Sequence, residues 1–288
     1  MGNVKRHAEQ SAGGTRKLES RSVTGLQGEA MSDIEVERRG EVAWIRLNRP
    51  ERMNSYDASM AKEMIAAIQD SVDAGVIVLT GTGKAFCAGG YLANLSNPNA
   101  EALRSMFYGS LHLYEAIRMS PRPVIAAVNG AAAGGGNELV IACDLAIASE
   151  KATFGQTGVR IGSAPVLGGT NFLSMSIGEK RAKEVAFLCK RYPAKEALEL
   201  GWINAVVAPE ELEAEVTRWA DQLLDMSPRY LEIAKISSNL WWNQARDNYQ
   251  TSLGMLVQAI GSKDMIEGAT AFMEKRKPQF EGRKKKNA

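Results

Sequence analysis

Histidine and cysteine are scarce in this chain. Of its 288 residues two are histidine, His7 and His112, and three are cysteine, Cys87, Cys143 and Cys189. Two imidazoles leave few candidates for a histidine-based triad or metal centre, so no metal site is expected. His112 sits in a helical pattern, Leu111-His112-Leu113-Tyr114, and reads as structural. Three cysteines without paired spacing argue against a disulfide framework and a zinc site and fit a reducing compartment; the expected location is cytoplasmic. Strong charge of either sign is missing too. The net charge of +2 leaves no footprint for nucleic acid or an anionic membrane surface. No apolar run approaches the length of a transmembrane helix. Neither nucleic acid nor membrane is an expected partner.

Apolar residues are plentiful, at 45% of the chain, ample for a sizeable core. Residues 1–30 lack periodicity and read as a disordered N-terminal extension, with Met31 as a second candidate start. The chain then alternates. Val42–Leu47, Val76–Thr80, Val124–Val128, Leu145–Ala148 and Ala205–Val207 read as strands. A helix is expected from about Asp57, with Met60, Met64, Ile65 and Ile68 on one face, and a long one over 100–119, ended by Pro121 and Pro123. Alternating strands and helices predict an α/β fold. After Pro209 the pattern is almost wholly helical. The expected organisation is a core over 31–209, a helical region over 210–280 and a basic tail over 281–288.

The chain is organised around Val124–Asp144. A buried strand ends at Asn129-Gly130. Small residues lead to Gly134-Gly135-Gly136, and Glu138 to Cys143 reads as the start of a buried helix. Glycines let a ligand approach the backbone closely. The N–H groups of a helix N-terminus favour negative charge. Glu138 beside them reads either as an acid or base next to an oxyanion-binding turn, or as a first-turn residue complementing the helix dipole. A second glycine turn, Lys84-Ala85-Phe86-Cys87-Ala88-Gly89-Gly90-Tyr91, follows the Val76 strand. Two N–H donors from separate turns can converge on one carbonyl oxygen and stabilise an enolate or tetrahedral oxyanion.

With both turns in view the chain resembles the crotonase (enoyl-CoA hydratase/isomerase) superfamily over about residues 34–280. The likeness rests on Asn48-Arg49-Pro50 with Asn54, on F-C-A-G-G-Y-L at 86–92, and on N-G-A-A-A-G-G-G-N-E-L at 129–139. It continues through A-T-F-G-Q-T-G at 152–158, G-G-T at 168–170 and the tail at 267–280. The resemblance implies a spiral of β-β-α turns with a C-terminal helical subdomain, and a homotrimer or dimer of trimers. It implies an acyl-CoA thioester substrate, so that coenzyme A arrives as part of the substrate and no cofactor is tightly bound. It puts the oxyanion N–H groups on Gly90 and Gly135 and a catalytic acid/base on Glu138. Ala88, Tyr91, Gly134, Gly158 and Ser163 fall at substrate-binding positions, and the segments around Arg49–Met53 and Ala88–Leu92 at coenzyme A-positioning ones.

Departures from that pattern matter as much. Hydratases carry a second glutamate where this chain has Gly158, and an aspartate where it has Tyr91, whose phenol reads as a donor near the ligand or as loop packing. Residues 154–169 are similar to dihydroxynaphthoyl-CoA synthase, which also reads F-G-Q-T-G, and to ring-opening hydrolases of alicyclic oxo-acyl-CoAs. In the synthase branch some members hold bicarbonate where the glutamate is missing, which implies an anion site at Gln156, Thr157 and Gly158. Both branches place an aspartate near Pro165–Val166; this chain has Val166. The expected activity is enoyl-CoA hydration. The alternatives are ring opening of a cyclic β-oxo acyl-CoA, synthase-like carbon–carbon lyase chemistry, and a non-catalytic acyl-CoA- or RNA-binding homologue. Met106, Phe107, Tyr108 and Tyr114 read as walls for a bulky acyl group or as helix core.

Overall fold

The β-branched runs become strands covered on both faces, which is why they read as continuous apolar segments rather than alternating ones. The structure, a computed structural model, describes residues 32–91 and 98–281. β1 (Ile34–Arg39) and β2 (Val42–Leu47) form an antiparallel hairpin whose two-residue loop uses the positive φ of Gly40. β3 (Val76–Gly81), β5 (Val124–Val128), β7 (Leu145–Ser149) and β10 (Ala205–Val207) then add in parallel, giving a six-stranded sheet in the order β1-β2-β3-β5-β7-β10.

Each turn of chain also adds a short strand to a second sheet. β4 (Ala85–Cys87), β6 (Ala131–Ala133) and β8 (Thr153–Gly155) run parallel, and β9 (Tyr192–Pro193) closes the order β4-β6-β8-β9 antiparallel. Long strand, short strand, helix is the repeating unit, so the chain winds as the expected spiral of β-β-α turns with helices at its C-terminal end.

Helices cover both faces of the large sheet. α1 (Ala58–Asp70) is capped by the Asp57 carboxylate, and α2 (Ala100–Met119) by Asn99, whose side chain accepts from two N–H groups. Met60, Met64, Ile68, Leu103, Leu111 and Ile117 from these helices share a core with Ile45, Leu47, Ile77, Leu79, Ala126 and Val128. The alternate strand residues Val42, Trp44, Val76, Val78, Ile125, Ala127 and Ile147 face Leu212, Val216 and Ala220 of a helix over Leu212–Leu224. The first helix after Pro209 therefore completes the sheet's second layer. Three shorter helices, over Leu173–Ile177, Glu179–Leu188 and Ala194–Glu199, precede β10, and Pro228–Ser238, Leu240–Gln258 and Lys263–Met273 complete the C-terminal set.

Two local readings need correction. The helix expected from Glu138 begins three residues earlier and runs over Gly135–Ala142 (α3), because Gly134, at φ +54°, makes the turn that Gly135 and Gly136 then leave as helix. The segment read only as a glycine turn at 84–91 contains β4. Three residues are too few for a period to show. The N-terminal extension, residues 92–97 and the basic tail fall outside the described residues, apart from Glu281.

Candidate active site

The two glycine turns lie against each other. Gly89 has φ +91°, and a Cβ there would stand 2.7 Å from the Gly135 nitrogen and 2.9 Å from the Ala133 carbonyl oxygen. One residue on, a Cβ on Gly136 would lie 1.9 Å from the Cys87 carbonyl oxygen, so α3 is pressed onto β4 with no room for a side chain. Gly135 opens α3, which leaves its N–H without an intrahelical acceptor. Gly90 forms a parallel bridge with Tyr56, in which the Tyr56 N–H donates to Gly89 O (3.0 Å) and the Tyr91 N–H to Tyr56 O (2.9 Å). In such a bridge the N–H of Gly90 itself points away from Tyr56. Gly90 and Gly135 line one cavity.

The strap that holds the Gly89-Gly90 turn is the Asn48–Tyr56 segment. Asn54 is fully buried. Its side chain accepts from the Arg49 N–H and donates to the carbonyls of Thr82 (2.9 Å) and Ala85 (2.8 Å). The Arg49 guanidinium is taken up by Asp33 and by Asp57, at 2.9 Å from the latter. Arg49 therefore acts on the fold through these two carboxylates.

Glu138 faces the same cavity from the first turn of α3, with 6% of its surface exposed. Its Oε1 accepts from the N–H groups of Leu167 and Gly169, both at 3.0 Å. Burial pushes its pKa up from 4.5 to about 7, and the two N–H donors hold the rise in check. Glu138 is thus a group that exchanges protons near neutrality, with Oε2 left out of that pair of bonds.

Ala88, Gly90, Gly134, Gly135, Glu138, Gln156, Thr157, Gly158 and Ser163 all line this cavity. Tyr91 does not. Strand alternation after Gly90 turns it aside, and its ring lies 4.6 Å beneath the Arg52 guanidinium. Among the four residues read as walls, Met106, Phe107 and Tyr114 line the cavity, whereas Tyr108 is exposed on α2. His112 is exposed as well.

Gln156 is 1% exposed, and neither its carboxamide oxygen nor its nitrogen has a protein partner. A Cβ on Gly169 would stand 2.5 Å from the Gln156 Nε2, so the amide and the Glu138 carboxylate flank the same glycine. A Cβ on Gly158 would lie 3.2 Å from the Ala164 backbone, in tight contact. Among the described residues no group of three histidine, cysteine, aspartate or glutamate side chains gathers to hold a metal ion. No described helix is long and apolar enough to cross a membrane.

Sequence reasoning missed Tyr56. Its hydroxyl lies 2.6 Å from that of Tyr114, which donates to Gly135 O at 2.9 Å. The pair props the Gly134–Gly136 turn from the cavity side. Leu167 and Leu256 were missed as well, the latter from a helix over a hundred residues downstream of Glu138. No local pattern marks any of the three.

Solved structures share this fold. An enoyl-CoA hydratase from Bacillus anthracis is 33% identical, matching 88% of this chain and 100% of its own, with a TM-score of 0.71. A carnitinyl-CoA hydratase from Mycobacterium avium is 30% identical over 87% of this chain and 99% of its own, with a TM-score of 0.77. An enoyl-CoA hydratase/isomerase from Xanthobacter autotrophicus Py2 is 30% identical over 86% and 99%, also with a TM-score of 0.77. The family model for enoyl-CoA hydratase/isomerase matches residues 37–283. With that span, with the spiral fold and with the paired glycine turns, the chain belongs to the enoyl-CoA hydratase/isomerase family.

Proposed function

We propose that the protein hydrates an enoyl-CoA thioester, with the thioester oxygen received by the Gly90 and Gly135 N–H groups and the proton handled by Glu138. The observation that carries this reading is a carboxyl group with a pKa of about 7 in the cavity that both glycine turns line. As water adds to the β-carbon, its proton passes to Glu138, and the electron pair of the double bond moves onto the thioester as an enolate. The two N–H groups stabilise that charge by about 3 kcal/mol each. Glu138 then returns a proton to the α-carbon, so one water is added and the carboxylate is regenerated. The protein works as a homotrimer or a dimer of such trimers, and in the cytoplasm.

Glu138→Gln tests the assignment. We expect kcat to fall about 100-fold or more, while binding of an acyl-CoA, followed by calorimetry, persists. Near-wild-type turnover would remove Glu138 from the chemistry.

One observation favours a second reading. The unpartnered Gln156 carboxamide, with Thr157 and Gly158 beside it, suits an oxygen-bearing group: a β-oxo acyl chain about to be cleaved, or a bound bicarbonate acting as base. Enoyl-CoA and cyclic β-oxoacyl-CoA substrates, with products identified by mass spectrometry, distinguish hydration from ring opening or carbon–carbon cleavage. Rates in bicarbonate-free and bicarbonate-supplemented buffer decide whether an anion takes part. Equal rates dismiss it.

A further inference from the structure

The helix Leu240–Gln258 meets the cavity at one end and packs against Phe172 at the other. Leu256 lines the cavity. At the other end Trp242, 4% exposed, stacks on Phe172 with ring centroids 4.1 Å apart and planes inclined by 24°. The Arg118 guanidinium, from α2, lies 4.5 Å from the Trp242 ring and 5.4 Å from that of Phe172. It also donates to the Ile141 carbonyl near the end of α3 and to Asn239 Oδ1 at 3.1 Å, and Asn239 returns a bond to the Arg118 carbonyl at 3.2 Å.

Phe172 ends the loop that holds Glu138. Within that loop the Phe172 and Leu173 N–H groups donate to Gly168 O, both at 3.0 Å, the Thr170 N–H donates to Pro165 O, and Asn171 Nδ2 to Val166 O at 2.7 Å. Its centre, Gly168-Gly169, has little stiffness of its own. The loop's order therefore comes from these bonds and from the anchor at Phe172.

We propose that Trp242, Phe172 and Arg118 act as positioning residues for Glu138. The stack pins the Pro165–Phe172 loop, and the loop's Leu167 and Gly169 N–H groups fix the carboxylate in the cavity. This rests on Glu138 as the proton-transfer group. The Leu167 and Gly169 donors favour the ionised carboxylate. Loosening them raises its pKa, so activity that needs the carboxylate as base retreats to higher pH. The titratable groups that share the cavity with Glu138 are the Tyr56 and Tyr114 phenols, and neither belongs to the stack.

The test compares full-length Trp242→Ala, Phe172→Leu and Trp242→Phe with the wild type; none alters a charge. Amide hydrogen exchange by mass spectrometry follows residues 165–172, with β5 as internal reference. Kinetics use a short enoyl-CoA across pH. For Trp242→Ala and Phe172→Leu we expect exchange at 165–172 to quicken about tenfold with β5 unchanged. We expect kcat to fall about 10- to 100-fold with KM little altered, and the acid limb to move up. Trp242→Phe, which keeps a ring for Phe172, should restore most of the rate. If Trp242→Ala does not fold, Phe172→Leu decides. Unchanged exchange at 165–172, or a lower kcat with the acid limb unmoved, overturns the proposal. Full turnover by Glu138→Gln would instead defeat the role given to Glu138, and the exchange data would still judge the clamp.

Discussion

Glu138 holds its site at the expense of stability. Its pKa is about 7 in the folded protein against an ordinary 4.5, so the folded state binds this proton more tightly than the unfolded chain. The resulting stabilisation is fully present below about pH 4.5 and is lost as the pH rises through about 7. Glu138→Gln keeps an acceptor for the Leu167 and Gly169 N–H groups and removes the charge. We expect this inactive variant to exceed the wild type in stability at about pH 8, by at most about 3 kcal/mol, with the gap closed by about pH 4. Denaturant melts at the two pH values check the sign. The neighbouring glycines separate just as cleanly. Gly89→Ala meets both a positive φ and the Gly135 nitrogen at 2.7 Å. It should cost about 2 kcal/mol or more and abolish turnover. At Gly90 the nearest atoms to an added Cβ are the end of Met106, at 3.2 Å, which can move aside. Gly90→Ala should fold with a melting temperature near that of the wild type.

At the scale of elements, the C-terminal helices are fastened by buried charge as well as by apolar contact. Lys235, on the helix Pro228–Ser238, is 8% exposed; its Nζ meets Asp144 Oδ2 at 2.7 Å and donates to the carbonyls of Ile117 (2.9 Å) and Arg122 (2.8 Å). Asp144 in turn accepts from the Val124 N–H, at the start of β5. One ammonium group thus ties a C-terminal helix to the junctions of α2 with β5 and of α3 with β7. Lys235→Met leaves Asp144 without its cation and the Ile117 and Arg122 carbonyls without their donor. A loss of about 3 kcal/mol is expected, read as a lower denaturation midpoint. Asp144→Asn combined with Lys235→Met should cost less than the two single changes added together, because the partners share one interaction.

On the scale of the whole molecule, the helices after Pro209 present a good deal of apolar surface. Tyr230, Ile236, Met255, Phe272 and Met273 are each more than half exposed. Closed symmetric association of identical chains is the commonest way in which such exposed apolar residues are covered. The proposed trimer or dimer of trimers should therefore scatter light as three or six times 31.2 kDa. Phe272→Glu with Met273→Glu should shift it toward the monomer.

The sequence by itself determined the α/β class, the long strands, the two glycine turns and Glu138. Each is written in a few consecutive residues: Val76 to Leu79 must be buried on both sides, and three glycines before an apolar helix leave a backbone that only close packing or a ligand uses. The short strands Ala85–Cys87, Ala131–Ala133 and Thr153–Gly155 were illegible because their pairing is set by the spiral. Only the tertiary structure decided what surrounds the carboxylate. Leu167 and Gly169 supply its donors from a loop some thirty residues later. Tyr56 reaches the Gly134–Gly136 turn through Tyr114, and Gln156 presents an amide that the fold leaves unpartnered. Tyr91, chosen from a motif, is turned aside because its register is set by the bridge between Tyr56 and Gly90. Local sequence fixes what a residue can do. Register and packing between distant segments fix what it faces, and the pKa of Glu138 follows from burial by residues far from it in the chain.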